Sequence, residues 1–388
     1  MREELWKKLE TFVEELHDLS KYIYEHPEEG YQEHLSSKAH KDILKKHGFE
    51  VEENFTGLET AFKATFSGTD RPKIAFLAEY DALPGIGHGC GHNLLGTVST
   101  GAGILLSKFI GSTGGAVSVI GTPAEETSGA KVKMADEGVF NDFDVAMLAH
   151  PNSSYSASGS SLALDALKFE FFGKASHAAT SPQEGINALD AVIQLFNGVN
   201  ALRQQMLPTA RIHGIIRDGG KAANIIPDYA CAEFYVRSAD RGYSDILGEK
   251  VRQCAEGAAL MTGCRLEISN YEASYHNMVT NESLSFLYCG HLSEYGVEDP
   301  FRQREFVGSL DMGNVSQVCP SIHPYFGISS QKEMALHTEE FRDQTLTLEA
   351  KKNMMITICS LVETAMDVLE KPEELKKIKA EFTALNRL

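Results

Sequence analysis

The chain has 388 residues, 43% of them hydrophobic and 23% charged, with a formal net charge of −18. This is an ordinary globular composition at a length that favours two domains, and the acidic balance argues against nucleic acid or an anionic membrane as a partner. Seven scattered cysteines without a CxxC pair, and an N-terminus without an apolar leader, set the expectation of a soluble cytoplasmic protein with reduced thiols.

In chain order, Leu5, Leu9, Phe12, Leu16, Leu19 and Ile23 recur at helical spacing and predict one helix over 5–25. His26-Pro27 ends it, because the residue before proline avoids the helical region. A second helix is predicted over 36–47, with Gly48 as its stop. Short apolar runs at 73–78, 116–121 and 145–149 read as strands, with helical patterns at 94–109 and 130–137 between them. That alternation predicts an α/β fold, a mostly parallel sheet flanked by helices. The middle of the chain reads differently: a strand over 163–172, a helix over 187–203, strands over 211–216 and 229–237 with Asp218-Gly219-Gly220 between them, a helix over 244–261 and a strand over 265–271. This order predicts a small α+β sandwich of ferredoxin-like kind, residues 164–277, inserted into a first domain built from 1–163 and 278–388. A long amphipathic helix over 346–369 is expected to end the fold.

The residues that carry chemistry follow the predicted strands. Asp81 and the stretch His88-Gly89-Cys90-Gly91-His92 come after the first, Glu125-Glu126 after the second and His150 after the third. Sites in open α/β sheets lie at the carboxyl ends of strands. Taken singly, Cys90 and His92 also fit a buried thiol and a satisfied histidine, and Glu125-Glu126 a solvated acidic loop. Together with His337 they offer a thiolate, imidazoles and carboxylates, the donor types of a transition-metal site, with one glutamate of the pair left for acid/base work. The glycines at 85, 87, 89 and 91 do not fit a dinucleotide-binding register.

The motifs make a longer series: His26-Pro27-Glu28, Asp81-Ala82-Leu83-Pro84, the Cys90-Gly91-His92 turn, Pro123-Ala124-Glu125-Glu126, His150 with Ser153, Gly173-Lys174-Ala175-Ser176-His177-Ala178, Gly219-Gly220 with Asn224-Ile225-Ile226-Pro227, and Leu336-His337. In this order the chain resembles the aminoacylase and carboxypeptidase family of di-metal peptidases. The likeness is to its amidohydrolase branch, which includes hippurate, auxin-conjugate and p-aminobenzoyl-glutamate hydrolases, while the segment from Gly308 to Ser316 with Ile322-His323-Pro324-Tyr325-Phe326 resembles the aminoacylase-like dipeptidases. The resemblance implies Cys90, His92, Glu126, His150 and His337 as metal ligands, Glu125 as general base and Asp81 as the residue orienting a ligand. It implies that His177 stabilises the oxyanion in a partner subunit's site, and that Asn224 and Arg237 contact substrate. One or two divalent ions per subunit, zinc or manganese, and a homodimer or higher oligomer through the inserted domain are implied with them. Glu79, Asn93 and Asp311 depart from the pattern of the branch.

The expected reaction is hydrolysis of an amide or peptide bond in dipeptides or N-acyl amino acids by metal-activated water. A binding protein of the same fold that has lost catalysis is the alternative that Glu125 opposes. A Cys90 nucleophile and an aminopeptidase-like enzyme acting on longer peptides are the others.

Overall fold

The computed structural model describes residues 2–303, 308–329 and 333–385. The chain divides into two units, Met1–Ser160 with Met278–Val307 and Asp311–Leu388, and Ser161–Asn277 with Gly308–Leu310.

The first unit is organised by a six-stranded sheet. Its strands are β1 (Glu50–Glu53), β2 (Phe62–Ser67), β3 (Lys73–Ala78), β4 (Ala116–Gly121), β5 (Val145–Met147) and, from late in the chain, β11 (Ser321–Ile322), in the order β1-β2-β4-β3-β5-β11. β3, β4, β5 and β11 are parallel, and β1 and β2 add an antiparallel edge. β3 and β4 are buried almost throughout, as continuous apolar strands covered on both faces must be. The helix His92–Ser107 packs on β3 and β4 and against Leu348–Glu370, and all of its 16 residues are buried. Its Gly96 is there for a close approach, since a Cβ would stand 2.4 Å from the carbonyl oxygen of Glu79.

Several predicted elements change. The single helix expected over 5–25 is two, Arg2–Glu10 and Val13–Glu25. The break comes where Thr11 turns both its amide and its hydroxyl onto the Lys8 carbonyl. β1 and β2 lack a long apolar run and carry no sequence signal. The strand expected over 145–149 stops at Met147, and His150 opens a separate short strand, β6 (His150–Asn152), paired in parallel with β12 (Tyr325–Gly327). The helix over 346–369 does not end the fold, because Pro372–Leu385 follows it as another helix.

The second unit is a four-stranded antiparallel sheet of β7 (Ala163–Phe172), β8 (Arg211–Asp218), β9 (Tyr229–Ser238) and β10 (Arg265–Asn270), ordered β10-β7-β9-β8. Helices Ala188–Leu202 and Arg241–Thr262 pack on it around Phe169, Phe171, Phe234, Leu195 and Val251. Asn187 and Asp240 cap their first turns, satisfying amides that a helix start leaves unpaired. Gly308–Leu310 join this unit because Leu162 N donates to the Gly308 carbonyl at 2.9 Å. β8 is an edge strand with Ile215 and Ile216 exposed, an arrangement that invites a partner.

Replacing Gly96 by alanine should lower stability by about 1–3 kcal/mol, the usual cost of overpacking a filled core. The same change should loosen the seat of His92 four residues earlier. Denaturant unfolding with a metal-binding titration checks both, and an unchanged midpoint would refute the packing argument.

Candidate metal centre

The sheet order brings the candidate residues to one edge of the first unit. Glu79 and Asp81 follow β3, Glu125 and Glu126 follow β4, and His150 begins β6 just past β5. Gly91, in the left-handed region at φ 83°, lets the chain turn so that His92 begins a helix and Cys90 sits just before it. His337, also left-handed at φ 65°, is tied down by its amide, which donates to the Gly89 carbonyl at 2.9 Å.

Asp81 is the organising group. Its Oδ1 lies 2.9 Å from His92 Nδ1, and its Oδ2 accepts from the Glu126 amide at 2.9 Å. Because a carboxylate accepts, Nδ1 of His92 carries the proton and Nε2 is left to face the cluster. His150 is set the same way, with Nδ1 donating to the Pro151 carbonyl at 2.7 Å and Nε2 lying 3.4 Å from Cys90 Sγ. Glu126 Oε1 lies 3.6 Å from His337 Nε2 and 3.9 Å from His92 Nε2. Glu79 Oε2 lies 3.2 Å from His92 Nε2.

Within this cluster three triads have their donor atoms within 4.8 Å of one another: Cys90, His92 and His150; Cys90, Glu126 and His337; Glu79, His92 and Glu125; a fourth, His291, Glu294 and Glu363, involves none of these candidate residues. Cys90 belongs to two of them, so the arrangement can serve two neighbouring ions. His92 Nε2, Glu126 Oε1 and Glu79 Oε2 are buried without a hydrogen bond. Each such atom costs about 1–3 kcal/mol if nothing meets it. Two ligands held at about 2.0–2.3 Å by one tetrahedral ion stand about 3.3–3.7 Å apart, which the Cys90–His150 and Glu126–His337 separations match. Sulfur, imidazole and carboxylate together suit zinc or manganese better than calcium.

The electrostatics show competing charges: burial works to lower the His92 imidazole, but Cys90 and then Asp81 outweigh it and raise it well above its ordinary range. Burial, then Glu126, pushes the Cys90 thiol well above its ordinary range, and burial with His92 nearby lowers His150 to about 3. Burial, then the charges of Glu79 and Glu126, raises the Glu125 carboxyl well above the usual carboxylate range. Burial works to raise Glu79, but Lys131 and then His92 outweigh it and bring it down to about 2. A divalent cation would offset the burial and the neighbouring carboxylate charge that hold Cys90 protonated.

Of the remaining candidates, His177, Asn224 and Arg237 lie in the second unit. The amides of Ala179 and Thr180 point at His177 Nδ1 at 3.2 and 3.3 Å, so the neutral ring carries its proton on Nε2, as an exposed donor. Asn224 is adjacent, its carbonyl accepting from the Ala178 amide at 3.0 Å. Arg237 stacks on Tyr235 and reaches Ser309 Oγ at 3.4 Å. A cavity in the first unit is lined by Asn152, Ser156, Arg302, Glu333 and Leu336, next in sequence to His150 and His337. Arg302 and Glu333 carry no motif and escape a reading of the sequence. So does Lys131, fully buried between Glu79 and Asp311 at 2.7 Å from each; a lysine on a short helix shows no signal of that burial.

Residues 164–260 match the peptidase dimerisation domain. The chain is 37% identical to the Xaa-Arg dipeptidase of Mus musculus, over 97% of this chain and 90% of that protein. It is 27% identical to the thermostable carboxypeptidase 2 of Saccharolobus solfataricus, over 92% of this chain and 98% of that protein. A p-aminobenzoyl-glutamate hydrolase component of Escherichia coli (strain K12) is 34% identical, over 73% of this chain and 63% of that protein. Among solved structures the chain shares its fold with a Bacillus subtilis protein described as a dinuclear metal binding peptidase from the M20 family, with a TM-score of 0.69 and 22% identity, covering 93% of this chain and 99% of that one.

Asp81→Asn keeps the size of the side chain but loses the charge that orients His92. Metal affinity should fall about 10–100-fold, the range for loss of a group that positions a ligand. Titration of chelator-treated protein checks this, and an unaltered affinity would show that Asp81 does not hold the site.

Proposed function

The chain belongs to the M20 peptidase family, and we propose that within it the protein is a dipeptidase releasing a C-terminal amino acid, best a basic one, from short substrates. As a family member it is a metal-dependent hydrolase of amide or peptide bonds. The observation that carries the reading is the convergence of Cys90, His92, Glu126, His150 and His337 with Glu125 beside them. These five residues would hold one or two divalent ions, zinc or manganese by donor type.

A cation there supplies Lewis acidity and acidifies water. Glu125 accepts the proton of the attacking water and passes it to the leaving amine. The Nε2–H of His177 is a donor ready for the oxyanion. Asn224 and Arg237 read the α-carboxylate of the leaving amino acid. In this reading two copies pair through the second unit along the open edge of β8, with Ile215 and Ile216 in the contact, and His177 serves the partner's centre. One feature favours a basic leaving residue: the chain is 37% identical to an Xaa-Arg dipeptidase.

A panel of Xaa-Arg, Xaa-Lys, Xaa-Glu and N-acyl amino acids, each as free acid and as carboxamide, tests the substrate. Basic dipeptides with a free carboxylate should be preferred. The carboxamides should lose roughly ten- to hundredfold in kcat/KM, the value of one charge-assisted hydrogen bond. Preference for the acidic leaving group would move the reading to hydrolysis of acyl-glutamates. Glu125→Gln should slow every substrate by about a hundredfold or more with bound metal retained.

Donation across a dimer has its own test. Mixing His177→Ala and Glu125→Ala chains should restore part of the activity, because some sites then receive both wild-type residues. Verified mixed dimers that stay inactive would place the His177 action within one subunit.

A further inference from the structure

Glu79 directly follows β3, in a position that the five-residue ligand set leaves without a role. It is buried, with Oε1 2.7 Å from Lys131 Nζ and Oε2 3.2 Å from His92 Nε2. Both Oε2 and Nε2 are buried and neither makes a hydrogen bond. The other ring nitrogen of His92 is committed to Asp81. Two arrangements account for the pair: an imidazolium held between two carboxylates, or two lone-pair donors meeting one cation.

The surroundings favour the second. Glu125 offers an oxygen within 4.8 Å of the same two atoms, and Cys90 and His150 meet His92 from another side. The 3.2 Å separation is close to the edge of a metal coordination polyhedron, about 3.3–3.5 Å for nitrogen and oxygen ligands on a tetrahedral ion. Lys131 is fully buried, lies 2.7 Å from Asp311 Oδ1, and donates its own amide to Asp311 Oδ2 at 3.2 Å. Glu79 is therefore fixed through one oxygen by a clamped cation while its other oxygen faces the cluster. Asp81 holds His92 by the same device, a ligand positioned from behind by a group of opposite character.

We infer that Glu79 is a further metal ligand sharing an ion with His92, and that Lys131 and Asp311 form the clamp that positions it. This rests on the metal-hydrolase reading above and adds to it a carboxylate beyond the five residues. It also explains why Asp311 is there, since a buried lysine with only one carboxylate would be held less firmly and at greater desolvation cost.

The test uses the full chain, stripped with a chelator and then titrated with Zn²⁺ against a chromophoric competitor, or with Co²⁺ followed by its visible spectrum. Glu79→Gln keeps the shape and should weaken one bound ion by about 10–100-fold and change the Co²⁺ spectrum. Glu79→Asp keeps the charge beside Lys131, withdraws the donor, and should weaken the same ion to a smaller extent. Lys131→Met, which leaves Glu79 in place but unclamped, should do likewise. Melting curves confirm that each variant is folded. If Glu79→Gln and Glu79→Asp both bind as the wild type does, with the same Co²⁺ spectrum, Glu79 is only an ion-pair partner of His92 and the inference falls. If the wild-type chain itself binds neither ion, the metal-hydrolase reading falls first.

Discussion

The structure of the site depends on one carboxylate. Asp81 holds His92 Nδ1 with one oxygen and the Glu126 amide with the other, both at 2.9 Å. These contacts tie the turn after β3 to the loop after β4, which works because β3 and β4 are parallel neighbours and end side by side. β5 flanks β3 on its other side, so the chain leaving it can deliver His150 from the opposite direction. The donor cluster is thus a product of strand order. A permuted sheet with the same residues would not assemble it.

Much of this is legible in the sequence, and the limits are physical. β3 and β4 are apolar runs because both of their faces are covered, and the chemistry stands just past them. The division of the chain around a β-α-β-β-α-β stretch shows in the change from buried runs to alternation, as in β9, where buried and half-buried side chains alternate toward the C-terminal end. What escapes is decided by tertiary contact. β1 is four residues, three of them glutamate, and owes its existence to pairing with β2. The stop at Thr11 is a local hydrogen-bond choice inside an uninterrupted helical pattern. Glu79, Lys131 and Asp311 are three unremarkable letters far apart, and only the fold shows that they make one buried unit.

That unit bears on how an acidic chain tolerates such a site. Glu79, Asp81, Glu125, Glu126 and Asp311 crowd a small region, and each buried carboxylate costs several kcal/mol unless it is paired. Lys131 is the fixed cation lodged among them, and burial and Glu79 still push Asp311 up to about 6 against its pull. The residual imbalance falls on the donor atoms. A cation bound in such a cluster would draw its affinity from anions that the fold has already gathered and dehydrated.

The first unit is interrupted by the second, and its site is drawn from both sides of the interruption: Lys131 and Asp311 stand 180 residues apart, and His337 comes later still. Synthesis runs at about 5–20 residues per second, so His92 leaves the ribosome roughly ten to fifty seconds before His337. During that interval the inserted unit, complete and contiguous apart from a short return segment, can fold on its own contacts. The insertion thus sets the order in which the pieces of the centre are made, and His337 is the last of them to leave the ribosome.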